Sequence, residues 1–347
     1  MSDTVDFRSD FVARPTPEMV EAMFNAASRP SGFGLRENTL VAELEELAAQ
    51  KTGKEDSLFV PTCMMANQIA IALRCNSGEI FVTERESHVM TSEMNAATRL
   101  TGAVPMEISA KNGVFELDEL RQRLISLGQS KNSLKMILIE NSHVRSGGRV
   151  IPVEHMKILG ELAQQHGVPI HLDGARVFNA ASSIGCEVTE ITCLAETVAF
   201  NLNKGLGAPL GAILAGPRSL IEQAVELRQL FGGGWRPAGI PAAAGIVALN
   251  TMVVRLDADK KNAQRLAMGI SKLEGIVANK DNTETNIVLA RPIIMSPEKL
   301  TDLLANQGIF VLPFGRNVRF VTHHEIDTDA VDRTLSLLQN ILHGGKK

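Results

Sequence analysis

Tyrosine is absent from the 347 residues and tryptophan occurs once. No phenol is therefore available as a catalytic acid or base. The four cysteines, Cys63, Cys75, Cys186 and Cys193, form no C-x-x-C pair and fit no zinc spacing, so reduced thiols are expected. The eight histidines include no H-E-x-x-H, and no metal is expected. Net charge is −4, and the terminal "GGKK" is the one basic block. Neither nucleic acid nor an anionic membrane is an expected partner. No window reaches the roughly 18 uninterrupted apolar residues of a spanning helix, and "MSDTVDFRSD" has no charged start followed by an apolar stretch. A cytoplasmic protein is expected.

With 44% hydrophobic and 21% charged residues, the chain is long enough to bury a sizeable core as two unequal domains. Apolar periodicity predicts helices near 17–27, 39–52, 64–74, 117–127, 153–166 and 217–230. Short β-like runs lie between them at 79–83, 136–140, 168–173, 197–202 and 210–214. Such alternation predicts an α/β fold with a mainly parallel central sheet covered by helices. The texture changes after "GGGWRPAGIPAAAGIVALN", which places a large domain at 1–249 and a smaller α+β domain at 250–347. Residues 1–16 are expected to pack with the smaller one.

Ligands gather at the carboxyl ends of strands in such a sheet. Asp173, Lys204 and the segment after Glu140 fall there. In "FNLNKGLGAPLGA" (200–212), Lys204 ends an apolar run and is followed by small residues. Alone it reads as a snorkelling strand-end lysine. In "HLDGARVFNAA" (171–181), Asp173 ends another apolar run, with Arg176 three residues on. A lysine, a carboxylate and cationic groups together meet the needs of pyridoxal 5′-phosphate: a covalent anchor, a partner for the pyridine nitrogen, and binding for phosphate and substrate carboxylate.

The chain resembles the threonine aldolase family of pyridoxal-phosphate enzymes, of fold type I and related to the β-eliminating lyases. The resemblance runs in one order through "DFRSD", "RPTPEM", "LEELAAQKTGKE", "MANQIA", "HVMTSE", "ENSH", "HLDGARVFNAA", "NKGLGAPLGAILAG", "GGGWRPAGIPAAAGIVAL" and "VRFVTHHEID". It implies that Lys204 links to the cofactor aldehyde, that Asp173 partners the pyridine nitrogen, and that His88 stacks on the ring and moves protons. It implies that Ser9, Arg176 and Arg319 bind the substrate carboxylate, joined by His143 at the substrate. Phosphate is expected near Thr62, Cys63 and Met64 at a helix start, with Asn203, and with Arg236 delivered from a neighbouring subunit. A homodimer is then the minimum assembly, and the family is usually tetrameric.

Several positions depart from the family pattern. "TCMMAN" stands where S/T-G-T-x-A-N is usual, so Cys63 replaces a glycine and Met64 a threonine. Gln229 stands where a lysine is common and Asn203 where a serine is. "GFGLREN" replaces "VYGED", with Phe33 for tyrosine, and a histidine upstream of the "ENTH" motif has no counterpart between Leu127 and Glu140. "ENTHN" becomes "ENSHV", keeping His143 and placing Val144 after it. Arg36, Arg85 and Arg145 lie in segments near the family's active site, where an added arginine would favour a second carboxylate. The implied activity is cleavage of the Cα–Cβ bond of an L-β-hydroxy-α-amino acid to glycine and an aldehyde. Another reaction of the same cofactor (β-elimination, racemisation or transamination) and a non-catalytic amino-acid sensor remain as alternatives.

Overall fold

The computed structural model describes residues 4–128, 134–278 and 280–344. Its strands in chain order are β1 (Val5–Asp6), β2 (Asp56–Val60), β3 (Ile80–Glu84), β4 (Val104–Ile108), β5 (Ala110–Lys111), β6 (Val114–Phe115), β7 (Leu134–Glu140), β8 (Ile170–Asp173), β9 (Thr197–Asn201) and β10 (Ala212–Gly216). They continue with β11 (Ile276–Ala278), β12 (Ile287–Pro292), β13 (Ile309–Phe310), β14 (Leu312–Phe314) and β15 (Asn317–Val321). A seven-stranded sheet runs in the order β2-β10-β9-β8-β7-β3-β4. All its pairings are parallel except those of β10, which is antiparallel to both β2 and β9. The central strands are buried along their length, as near-continuous apolar runs require when helices cover both faces.

The six helices read from the periodicity are present at Pro17–Ala27, Thr39–Thr52, Cys63–Arg74, Leu117–Gly128, Val153–Gln165 and Arg218–Leu230. Their ends follow local chemistry. Thr16 caps Pro17–Ala27, Asn38 accepts from the amides of Leu40 and Val41, and Gly53 closes Thr39–Thr52 in the left-handed conformation. Two strands of the large sheet had no counterpart among the predicted runs. In β2 only three apolar residues stand together, and β4 is an edge strand that carries Pro105 and is mostly solvent-facing, so its sequence lacks a buried strand's signature.

A second sheet, antiparallel and ordered β11-β12-β15-β14, is backed by the helices Leu256–Ile270 and Pro297–Ala305, and Thr328–Gly344 packs on both helices. Its core draws on Ala263 and later residues, and also on Val5 and Phe7 from the N-terminal segment. That segment is tied in by the parallel pairing of β1 with β13 and by an edge-on contact of Phe7 with Phe320. The position of the expected boundary, 249/250, falls inside a continuous helical stretch, Gly239–Ile270. This stretch is long and apolar enough by composition to cross a membrane, yet over half of its apolar window is buried inside the protein. Its first part packs against Pro17–Ala27 and Thr39–Thr52.

Candidate active site

The carboxyl ends of β7, β8 and β9 and the start of Cys63–Arg74 converge on a cavity of about 230 Å³. Lys204 and Asp173 face it together, with His88, Cys63, Met64, Asn67, Glu140, Ser142, Arg145 and Arg176 on its walls. Ser9, Phe314 and Arg319 reach it from the N-terminal segment and the second sheet. The small residues around Lys204 have a packing reason. A Cβ at Gly205 would sit 2.9 Å from Asn179 Oδ1 and 3.0 Å from a Leu256 methyl, and one at Gly174 would sit 2.9 Å from Val177 Cβ. Both turns lie too close to their neighbours for a side chain.

Burial and the nearby Arg176 guanidinium push the Lys204 ammonium below the usual lysine range, partly opposed by Cys63, Asp10 and Asp173. A lysine so disposed is more readily the free amine that carbonyl chemistry needs. Asp173 is 2% exposed. Its Oδ2 accepts from Asn67 Nδ2 at 2.8 Å and its Oδ1 from the Ala175 amide at 3.2 Å. The Cys63 thiol lies 3.9 Å from Oδ1. Burial and the neighbouring Asp173 charge push that thiol well above its ordinary range, so it stays protonated.

Behind Asp173 runs a buried polar chain. Thr197 Oγ1 meets His171 Nδ1 at 2.8 Å, and His171 Nε2 meets Asn67 Oδ1 at 3.1 Å. The Asn67 amide nitrogen is already donating to Asp173 and, at 3.0 Å, to Glu93. Its oxygen can only accept, which places the His171 proton on Nε2 and makes Nδ1 the acceptor from Thr197. Burial drives the His171 pKa down to about 4, so the ring is neutral at pH 7. The folded protein then binds one proton fewer than the unfolded chain between about pH 6.5 and 4. His171 burial is fully compatible with folding above that window, and stability falls by about 1.4 kcal/mol per pH unit within it. Denaturant midpoints of wild type and His171→Gln measured from pH 7 to 4 should therefore converge as pH falls. Parallel curves would show that His171 is not buried neutral.

His88 Nδ1 lies 2.9 Å from Glu93 Oε1, and its backbone amide donates to Glu140 Oε2 at 2.6 Å. Burial works against the imidazolium, but Glu93 and Asp173 outweigh it and raise the His88 pKa above 6.5. Glu93 fixes the ring through Nδ1, which leaves Nε2 as the second proton site. His88, Glu93 and Asp173 bring ligand-type atoms within 4.8 Å of one another, but Asn67 and Gln68 already donate into this acidic cluster.

The two expected carboxylate-binding arginines are differently placed. Arg176 is 6% exposed, and its Nε and Nη2 form a two-pronged pair with Asp10 at 2.8 and 2.7 Å. Asn286 Nδ2 and Ser9 Oγ also donate to Asp10. Burial disfavours the Asp10 charge, yet Arg176, Lys204 and Asn286 hold its carboxyl well below the usual range. The Nε–Nη2 edge of Arg176 is thus already filled by a carboxylate of its own chain. Arg319 has one bond, from Nη2 to the Arg8 carbonyl at 3.0 Å, and its buried Nε has no partner among the described residues. Burial and the charges of Arg176 and Arg145 bring its pKa down to about 10.

The remaining expected residues lie elsewhere. His143 is 1% exposed and does not line the cavity; Nε2 faces Glu84 at 3.0 Å and Nδ1 faces Ser146 Oγ at 2.9 Å. Thr62 caps the helix Cys63–Arg74 by accepting from the Met65 amide. Asn203 accepts from Asn201. Arg236 lines a separate cleft with Ser31, Gly32 and Trp235, and its guanidinium stands 5.5 Å from the centre of the Phe33 ring. Arg36 is engaged by Glu45 and Asp56, and Arg85 is exposed at another cleft beside Glu84 and Glu86. Of these three arginines, Arg145 alone lines the Lys204 cavity. Asp10, Asn67, Glu93 and His171 had no role assigned from sequence, although each sits inside a quoted motif; Ser142 is buried on the wall, and its hydroxyl has no partner among the described residues.

A family model described as "Beta-eliminating lyase" matches residues 6–292. The chain belongs to the beta-eliminating lyase family. Within it, the chain is 35% identical to low-specificity L-threonine aldolase 1 of Arabidopsis thaliana, over 98% of this chain and 96% of that one. It is 33% identical to the low specificity L-threonine aldolase of Escherichia coli (strain K12), over 94% and 95%. The solved structure of Leishmania major threonine aldolase matches with a TM-score of 0.83 at 17% identity, covering 97% of this chain and 99% of the other. The fold shared with that structure is fold type I. Lys204 and Asp173 face one cavity in this member of the family.

Proposed function

We propose that this protein is a pyridoxal-phosphate-dependent aldehyde-lyase that cleaves an L-β-hydroxy-α-amino acid of the threonine or allo-threonine type to glycine and an aldehyde. The observation that carries this reading is the convergence of Lys204 and Asp173 on one cavity in a chain at least 33% identical, nearly end to end, to two threonine aldolases. The residues fit the cofactor: a half-buried lysine of lowered pKa, a carboxylate held by Asn67 and Ala175, and a helix start at Cys63 opening on the same space. Bound there, pyridoxal phosphate supplies an aldehyde for covalent linkage and a protonated ring that accepts the electron pair released at Cα.

Lys204 would anchor the cofactor, and Asp173 would hold the proton on its ring nitrogen. His88, braced at Nδ1 by Glu93, would border the cofactor ring and take the β-hydroxyl proton at Nε2 as the Cα–Cβ bond breaks. Cβ then leaves as an aldehyde and Cα is protonated to give glycine. Ser142 offers its unpartnered hydroxyl to the substrate, and Arg319, with Ser9, binds the α-carboxylate. Arg176 acts one step back, by fixing Asp10 beside that site. Asn203 lies next to Lys204 in the chain, and Cys63 and Met64 line the phosphate end, at the helix start that Thr62 caps. Cys63 and Met64 bring no hydroxyl to it, and weaker cofactor retention follows.

Arg236 lies in another cleft of its own chain, which supports delivery to a neighbouring subunit's phosphate site and hence a homodimer at least, with a tetramer as the assembly we favour. His143, enclosed by Glu84 and Ser146, serves the wall instead of contacting substrate. Purified holoenzyme given L-threonine, L-allo-threonine and phenylserine should yield glycine and the matching aldehyde in equal amounts. Ammonia with a keto acid, or the D-isomer of the substrate, would replace this reaction by elimination or racemisation.

A further inference from the structure

The wall of the Lys204 cavity carries more positive charge than one α-carboxylate needs. Two guanidiniums stand over Phe314, the Arg145 carbon 4.9 Å and the Arg319 carbon 5.2 Å from its ring centre. Both arginines and the ring line the same cavity as Lys204 and Asp173. Arg319 already supplies a fork for one carboxylate. Arg145 makes a single long contact, Nε to Thr91 Oγ1 at 3.4 Å. No acidic group pairs with it among the described residues. Its two terminal nitrogens therefore keep their donors, and stacking on Phe314 limits the rotamer freedom that an exposed arginine would otherwise lose on binding an anion.

Two like charges held on one ring repel, and that repulsion is relieved when an anion sits between them or beside each. Arg176 is less suited to the part, because Asp10 already holds its Nε and Nη2 and the guanidinium is buried. The other acids near this wall, Glu140 and Asp173, are bound by amide donors and do not reach Arg145. Resting on the aldolase reading, we infer that Arg145 binds a second carboxylate, on the substrate's side chain, and that the enzyme prefers a β-hydroxy-α-amino dicarboxylic acid to threonine. For 3-hydroxyaspartate the reaction balances without a co-reactant. The β-hydroxyl proton goes to His88, the Cα–Cβ bond breaks, Cβ leaves as the aldehyde carbon of glyoxylate, and Cα takes up a proton to become glycine.

The test separates binding from cleavage. L-Aspartate and L-alanine, neither of which has a β-hydroxyl, are titrated into holoenzyme and followed by the cofactor's visible absorbance. Aspartate should bind at least about tenfold more tightly in wild type, as one charge-assisted pair implies. That ratio should fall toward one in Arg145→Met and be partly kept in Arg145→Lys. In parallel, kcat/KM for 3-hydroxy-L-aspartate relative to L-allo-threonine should exceed one and drop by a similar factor in Arg145→Met, chiefly through KM. Equal wild-type affinities, or a ratio untouched by Arg145→Met, would overturn the inference. Selective aspartate binding with no cleavage of any β-hydroxy amino acid would instead overturn the aldolase reading and leave the second carboxylate site standing. Cleavage of allo-threonine without dicarboxylate preference would do the reverse.

Discussion

Lys204→Ala is expected to lower turnover by at least about a thousandfold, some 4 kcal/mol of transition-state free energy, and to abolish the visible absorbance of covalently held cofactor. The size of the effect follows from its place in the cavity. Among the described residues no second lysine lines that space, so no other primary amine can take over the linkage. Loss of fold is not the expected cause. The ammonium is disfavoured where it sits by burial and by Arg176, so its removal relieves an unfavourable charge, and the thermal midpoint should stay or rise. Absorbance, turnover and melting of the same preparation check the three statements together. An unchanged spectrum and rate would remove the proposed anchor.

Asp173→Asn is the second large effect, with kcat expected to fall by about two to three orders of magnitude. The substitution keeps size and shape but removes the charge that would hold a proton on the ring nitrogen. It also reverses one hydrogen-bond demand. Asn67 Nδ2 donates to Asp173 Oδ2, while Asn67 Oδ1 is committed to His171 Nε2. The new amide must turn its oxygen toward Asn67 and its nitrogen toward Ala175 N–H and Cys63, where an acceptor stood before. A stability loss of about 1–3 kcal/mol accompanies the rate loss. The diagnostic reading is a fall in kcat with KM moving less, since the charge acts as electrons arrive on the ring and not on binding. Full turnover in the variant would mean that the carboxylate does not serve the ring nitrogen.

The six predicted helices bury an apolar stripe, for Pro17–Ala27 against the helical stretch from Gly239, and periodicity finds such stripes because burial imposes them. β8 and β9 could be read as short apolar runs ending in Asp173 or leading to Lys204. β4 could not, because an edge strand with Pro105 shows solvent the same residues a loop would. The site divides in the same manner. Strand ends and a family pattern mark Lys204, Asp173 and His88, and the structure brings all three to one cavity. Asp10 as the partner of Arg176 was not legible, since 166 positions separate them and only the folded chain brings them together. His143 carried the right motif yet lies behind the wall, since Glu84 offers it an acceptor that no local pattern announces. Arg145 was one of three arginines with equal claims. Folding removed Arg36 by giving it Glu45 and Asp56.

The Arg176–Asp10–Asn286 link joins the large sheet, the N-terminal segment and the second sheet at one buried point. A chimaera that grafts the carboxyl-terminal part of a relative onto this chain with a breakpoint near 249/250 would therefore leave Ser9 and Asp10 from one parent facing Asn286 and Arg319 from the other. Recombination of these enzymes needs two crossovers, so that the first sixteen residues travel with the tail they pair with.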